Sequence, residues 1–117
     1  MDILKFLKCL ADETRFKLLK LLLDNKLCVC ELTEILDRTQ PCISQHVKKL
    51  KDLDLIIEEK DKQWSYYTLD KEKYYSYVNI LDKLEDIDLK QLNFSDLSKK
   101  LTETKEKDLC NINPQER

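Results

Sequence analysis

The apolar positions of this chain recur with helical spacing over most of its length and break into a β-like pattern once. From Asp2 to Leu10, the residues Ile3, Leu4, Phe6, Leu7 and Leu10 predict a short helix. Asp12 is a good N-cap for a second helix, from Glu13 to about Leu23. There, Phe16, Leu18, Leu19, Leu21, Leu22 and Leu23 surround most of the cylinder, which predicts a helix in the middle of the core. A third, shorter helix is expected at about Val29 to Leu36, ended by "DRTQP". Thr39 then caps a fourth helix that tolerates Pro41 in its first turn. Its buried stripe is Ile43, Val47 and Leu50, at i, i+4 and i+7.

The period changes in "LIIEEKDKQWSYYTL". Ile56 and Ile57 open one strand, and Trp64, Tyr66, Tyr67 and Thr68 have high strand propensity. A charged turn near Asp61 and Lys62 closes the hairpin. A last strong helix is expected from Lys71 to about Glu85, with Tyr74, Tyr77, Val78, Leu81 and Leu84 as its stripe. Beyond it the chain is polar, with Ser95 placed to cap one more helix bearing Leu97 and Leu101. The fold class is mainly α with a small β-hairpin. A short helix, a tight turn, a second helix and a hairpin in that order spell a winged helix-turn-helix.

Composition narrows this picture. The 117 residues suffice for one domain with a modest core, and no internal repeat is visible. A net charge of −2 gives no overall sign of a nucleic-acid partner, so a local patch has to supply it. Between Arg38 and Lys51 stand four basic residues (Arg38, Lys48, Lys49, Lys51) and no acidic one before Asp52. Interleaved with them are Thr39, Gln40, Ser44 and Gln45, side chains that reach base edges and phosphates. A solvated helix face is the plainer explanation of such a run. The turn before it and the hairpin after it favour DNA binding instead, with Thr39, Gln40, Ser44, Gln45, His46, Lys48 and Lys49 on the helix and Lys60 and Lys62 in the wing. His46 is the lone histidine, so it packs at the helix edge or donates to DNA rather than serving a metal.

Five cysteines, Cys9, Cys28, Cys30, Cys42 and Cys110, fit a disulfide framework poorly because the count is odd. The charged start "MDILKFLKCLADE" shows no signal peptide, and no apolar run approaches a membrane span. The expectation is a cytoplasmic protein with reduced thiols. An enzyme would have to use those thiols, yet the chain has neither Cys-x-x-Cys beside a βαβ unit nor a histidine outside the DNA-reading helix.

The stretches "LADETRFKLLKLL", "LCVCEL", "TQPCISQHVKKLKDLDLI" and "KQWSYYTL" resemble, in order, successive blocks of the ArsR/SmtB family of metal-responsive transcriptional repressors. The similarity is strongest to its arsenic-sensing branch and covers about Leu7 to Leu69. The resemblance implies a winged helix-turn-helix over residues 1–85, followed by a polar extension over 86–117. It implies a homodimer joined through the first and last helices, bound to an inverted-repeat operator in double-stranded DNA. It also implies no permanent cofactor, and release from DNA by As(III) or a similar soft ion. Glycines usual in the family are replaced by Asp54 and Lys62, so a different turn is expected in the wing. A third cysteine of the arsenic-binding pattern is replaced by Thr33. The segment Lys71 to Asp88 has no histidine, which removes the carboxylate–histidine metal site of some relatives.

The pair Cys28 and Cys30 carries the sensing chemistry. Metal-blind winged helices commonly start this helix Ser-Val-x-Glu, a capping box. Here Cys28 takes the cap position and Glu31 the N3 position. Cysteine caps poorly, but a helix start favours negative charge, and thiolate is the form that binds soft cations and As(III). The plainer explanation makes both residues small buried hydrophobes, and a third has them sensing redox state by forming a disulfide. Cys42, in the first turn of the next helix, is the candidate third sulfur, with Cys9 and Cys110 more remote. The fallback is a two-sulfur site completed by an exogenous thiol or water. The remaining alternative for the fold is a winged helix used for protein–protein contact alone.

Overall fold

The computed structural model describes residues 3–110, so the expected helix start at Asp2 and the last seven residues lie outside the described residues. The element order is α1 (Ile3–Leu10), α2 (Glu13–Asp24), β1 (Leu27–Cys28), α3 (Val29–Leu36), α4 (Gln40–Lys51), β2 (Ile56–Asp61), β3 (Trp64–Leu69), α5 (Lys71–Asp82), a 3₁₀ turn (Leu84–Asp86) and α6 (Ser95–Lys107). Contacts divide the chain into two compact units, residues 1–81 and 82–117.

In the first unit the predicted caps form. The Asp12 carboxylate accepts from the Arg15 N–H at 3.0 Å, and the Thr39 hydroxyl accepts from the Cys42 N–H at 3.4 Å. The α4 stripe of Ile43, Val47 and Leu50 is buried against Leu18, Leu22 and Leu32 in one core with Phe6, Leu55 and Tyr77. Phe6 of α1 stacks on Tyr77 of α5, ring centroids 4.4 Å apart, which ties the two terminal helices of the unit together. The hairpin pairs Ile56 with Leu69 through Asp61 with Trp64, leaving Lys62 and Gln63 as its turn.

Several expectations need correction. The sheet has three strands, in the order β1-β3-β2, because Leu27 and Cys28 pair with Tyr67 and Tyr66. α2 is buried along one side only: Leu18, Leu19 and Leu22 are inside, while Phe16 is 56% exposed. α5 stops at Asp82 and turns 3₁₀ rather than running to Glu85. Of its expected stripe only Tyr77 is fully buried, and Leu81 is 40% exposed. Without a packed face to extend on, charged "DKLED" has little to hold it in α-helical register.

In the second unit, Ser95 is the first residue of α6 and not its cap, a position taken by Phe94 without a side-chain hydrogen bond. Leu97 and Leu101 are half-exposed on that helix.

Two non-glycine residues at and near the wing take a left-handed backbone. Asp54, just before β2, and Lys62, in the wing turn, both have φ of 58°, the left-handed region that glycine favours. A two-residue hairpin turn demands positive φ to match strand twist, and the requirement overrides the residue. Asp54 lets the Leu55 N–H reach back to the Leu50 carbonyl at 3.1 Å and close α4. A left-handed non-glycine residue costs roughly 1–2 kcal/mol, less for Asp than for Lys. Lys62→Gly is therefore expected to raise stability by up to about 1 kcal/mol, and Asp54→Gly by less, once glycine's own entropy cost is subtracted. Urea unfolding midpoints check this; a lower midpoint for Lys62→Gly contradicts it.

Candidate nucleic-acid interface and thiol site

α3 ends at Asp37, whose left-handed φ of 53° turns the chain within two residues to the Thr39 cap of α4. This is the tight turn of a helix-turn-helix. It leaves Thr39, Gln40, Ser44, Gln45, Lys48 and Lys49 exposed on or at the start of α4. The helical period sets Gln45 and Lys48 opposite the buried stripe, with Ser44 on one flank and Lys49 on the other.

His46 is not free on this face. Arg15 Nη1 lies 3.2 Å from His46 Nδ1, and because arginine only donates, Nδ1 accepts. The ring is mostly covered, at 20% side-chain exposure, and Asp12 stands 3.9 Å away. Arg15 also donates through Nε to the Cys9 carbonyl at 2.7 Å. One guanidinium thus joins α1, α2 and α4. Its backbone N–H, bonded to Asp12, is the main cause holding that carboxyl below its ordinary value. No local sequence pattern marks this link, since Arg15 and His46 stand far apart along the chain.

The wing carries Glu58, Glu59 and Asp61 beside Lys60 and Lys62, more acidic than basic residues. Two lysines from elsewhere offset the excess. Lys51 of α4 bonds Glu58 at 2.7 Å and lies over the Tyr67 ring, 5.1 Å from its centroid. That bond holds the Glu58 carboxyl below the usual carboxylate range. Lys26, just before β1, pairs with Glu59. Lys51 is consequently a brace between α4 and the wing, while Lys60 and Lys62 remain exposed.

The two thiols occupy the joint between β1 and α3. Cys28 is the last residue of β1 and the N-cap of α3, buried at 7% exposure; Cys30, one turn-step on, is exposed. The capping box is present. The Cys28 N–H donates to Glu31 Oε1 at 3.1 Å, and the sulfur faces the Glu31 N–H without making a full cap hydrogen bond. Thr33, where a further sulfur is absent, donates its hydroxyl to the Cys30 carbonyl at 2.7 Å. Cys42 is half-buried in the first turn of α4. Among the described residues no three His, Cys, Asp or Glu side chains stand together as a ligand group, so Cys42 does not join Cys28 and Cys30 in a ready-made site. What the sequence did not reveal is that Cys28 is paired to Tyr66 of the wing.

A winged helix with a helix-turn-helix, an exposed polar-basic fourth helix and a braced hairpin defines a class of regulatory protein. Comparison with known proteins names the family. The profile of the bacterial regulatory protein, arsR family, matches residues 12–58. The chain is 43% identical over 63 residues to the arsenic resistance transcriptional regulator ArsR1 of Pseudomonas putida, covering 53% of this chain and 49% of that one. It is 45% identical over 67 residues to the arsenical resistance operon repressor of Bacillus subtilis, covering 56% and 64%. The solved structure of HlyU from Vibrio cholerae superposes with a TM-score of 0.60 at 34% identity, over 71% of this chain and 90% of that one. The chain belongs to the arsR family of bacterial regulatory proteins. It spans about half to two-thirds of the length of the two arsenic-resistance regulators. No helix among the described residues is long and apolar enough to cross a membrane.

Proposed function

We propose that the protein is a homodimeric, DNA-binding transcriptional repressor that leaves its operator when As(III), Sb(III) or a similarly thiophilic ion binds Cys28 and Cys30. The observation that carries this reading is the position of Cys28, at once a strand end, a helix cap and a buried thiol two residues before the exposed thiol of Cys30. The two thiols together suit a soft ion. Thr39, Gln40, Ser44, Gln45, Lys48 and Lys49 read and hold the duplex, with Lys60 and Lys62 of the wing on adjacent phosphates. His46, bonded to Arg15, positions α4 rather than touching bases. Dimer formation is supported by the exposed apolar residues of the two packed terminal helices, Leu4 and Leu7 on α1 and Tyr75 and Leu81 on α5. The domain of residues 1–85 carries DNA binding and dimerisation, and 86–117 is its extension. Names of the relatives in arsenic resistance favour As(III) among soft ions.

Cys28 is buried, so an ion that engages it has to open the first turn of α3 or the end of β1. The first route leads through the Asp37 turn to α4, the second through Tyr66 to the wing. The third coordination position is filled from outside this set, by an exogenous thiol or water.

The test is the affinity for the promoter DNA of the protein's own gene, with and without As(III), in a non-thiol reductant. Allosteric couplings run about 5–150-fold, and a loss in that range is expected. The reductant separates metalloid sensing from disulfide formation. Unchanged affinity contradicts the reading.

A further inference from the structure

We propose that the cleft between α1, the start of α2 and the rear flank of α4 is a binding site for a phosphate oxyanion. The cleft measures about 290 Å³, near the lower end of small-ligand sites. Lys5, Lys8, Arg15 and Lys49 line it with a single carboxylate, Asp52. A chain of net charge −2 gathers four cations there from three helices. Two carboxylates stand by them, Asp52 in the lining and Asp12 at 3.9 Å from Arg15 Nη1, and the rim lysines Lys8 and Lys49 add positive charge that an anion would share.

The four are not equivalent. Arg15 is fixed, its Nε on the Cys9 carbonyl and its Nη1 on His46 and 3.9 Å from Asp12, so its remaining donors are already oriented. Lys8 and Lys49 form no ion pair with a described residue and are exposed at the rim. The Cys9 thiol in the cleft wall is pushed up by burial, with Arg15 and Lys49 acting against that shift and Asp12 adding to it. A rigid guanidinium backed by flexible ammonium groups is the arrangement that holds phosphate oxygens.

The favoured source is a backbone phosphate of duplex DNA. Lys49 lies on α4 next to Lys48 of the reading face, so the cleft would extend the footprint from α4 onto α1. That part rests on the DNA-binding reading; the site's affinity for phosphate does not.

The experiment has two arms on the full chain, with wild type and the surface variant Lys8→Gln. In the first, amide resonances are followed while inorganic phosphate replaces chloride at constant ionic strength. Saturable shifts centred on Cys9, Arg15 and Lys49, weakened at least several-fold in Lys8→Gln, are expected. In the second, affinity for a random-sequence duplex is measured against salt. Removing one phosphate contact lowers the log–log slope by about 0.9. A reduced slope for Lys8→Gln identifies a DNA phosphate. Saturable phosphate binding with an unchanged slope, or with no duplex binding at all, identifies free phosphate as the ligand. Absence of saturable shifts together with an unchanged slope overturns the site.

Discussion

Replacing both Cys28 and Cys30 with serine is expected to leave DNA affinity nearly intact and to abolish release by As(III). Serine is a better N-cap than cysteine, because its oxygen accepts a short hydrogen bond where the sulfur only faces the Glu31 N–H. The helix start therefore survives or gains, by up to about 1 kcal/mol for the cap. The hydroxyl is no soft ligand, so the ion loses both sulfurs. Since Cys28 is shared by β1 and α3, the single Cys28→Ser change is expected to uncouple binding from release more completely than Cys30→Ser. Titrating As(III) into each variant bound to fluorescent promoter DNA checks this. A double variant that still leaves DNA at the wild-type As(III) concentration places the inducer elsewhere.

The second large effect belongs to Gln45. It stands exposed and opposite the buried stripe of α4, where a side-chain amide can pair with a base edge in the major groove. Gln45→Ala is expected to cost about 1–3 kcal/mol on promoter DNA and little on random DNA. Lys49→Ala is expected to weaken both alike, since a phosphate contact carries no sequence information. Competition between the two DNAs gives the ratio directly. An equal loss on both for Gln45→Ala removes it from the reading set.

Legibility in the sequence followed the length of each signal. α4 was readable because Thr39, Pro41 and the Ile43–Val47–Leu50 stripe agree on one helix, and the structure buries that stripe and forms that cap. The hairpin was readable because its aromatic and β-branched residues cluster on both sides of a charged turn. β1 was not, because two residues have no period, and its pairing with Tyr66 and Tyr67 depends on where α2 ends. The extent of α5 was misjudged because spacing reports which residues are apolar, not whether a surface is there to cover them. Left-handed Lys62 inverts the usual inference: the fold's need for positive φ outweighed the residue's reluctance. Of the thiol site, the pair itself and the missing third sulfur at Thr33 were visible at once. Burial of Cys28 against exposure of Cys30 was not, nor was the lack, among the described residues, of a ready three-residue ligand group that includes Cys42. Contacts such as Arg15 with His46 join distant stretches and have no local pattern.

In the proposed complex, one ion is held by Cys28 and Cys30 and by no other sulfur of the protein. X-ray absorption at the arsenic edge, on the As(III) complex in a phosphine reductant free of thiols, counts those sulfurs directly. Two sulfurs per arsenic are expected in wild type and in Cys42→Ser, and none in the Cys28→Ser, Cys30→Ser double variant. Three sulfurs in wild type falling to two in Cys42→Ser, or sulfur coordination that persists in the double variant, would contradict it.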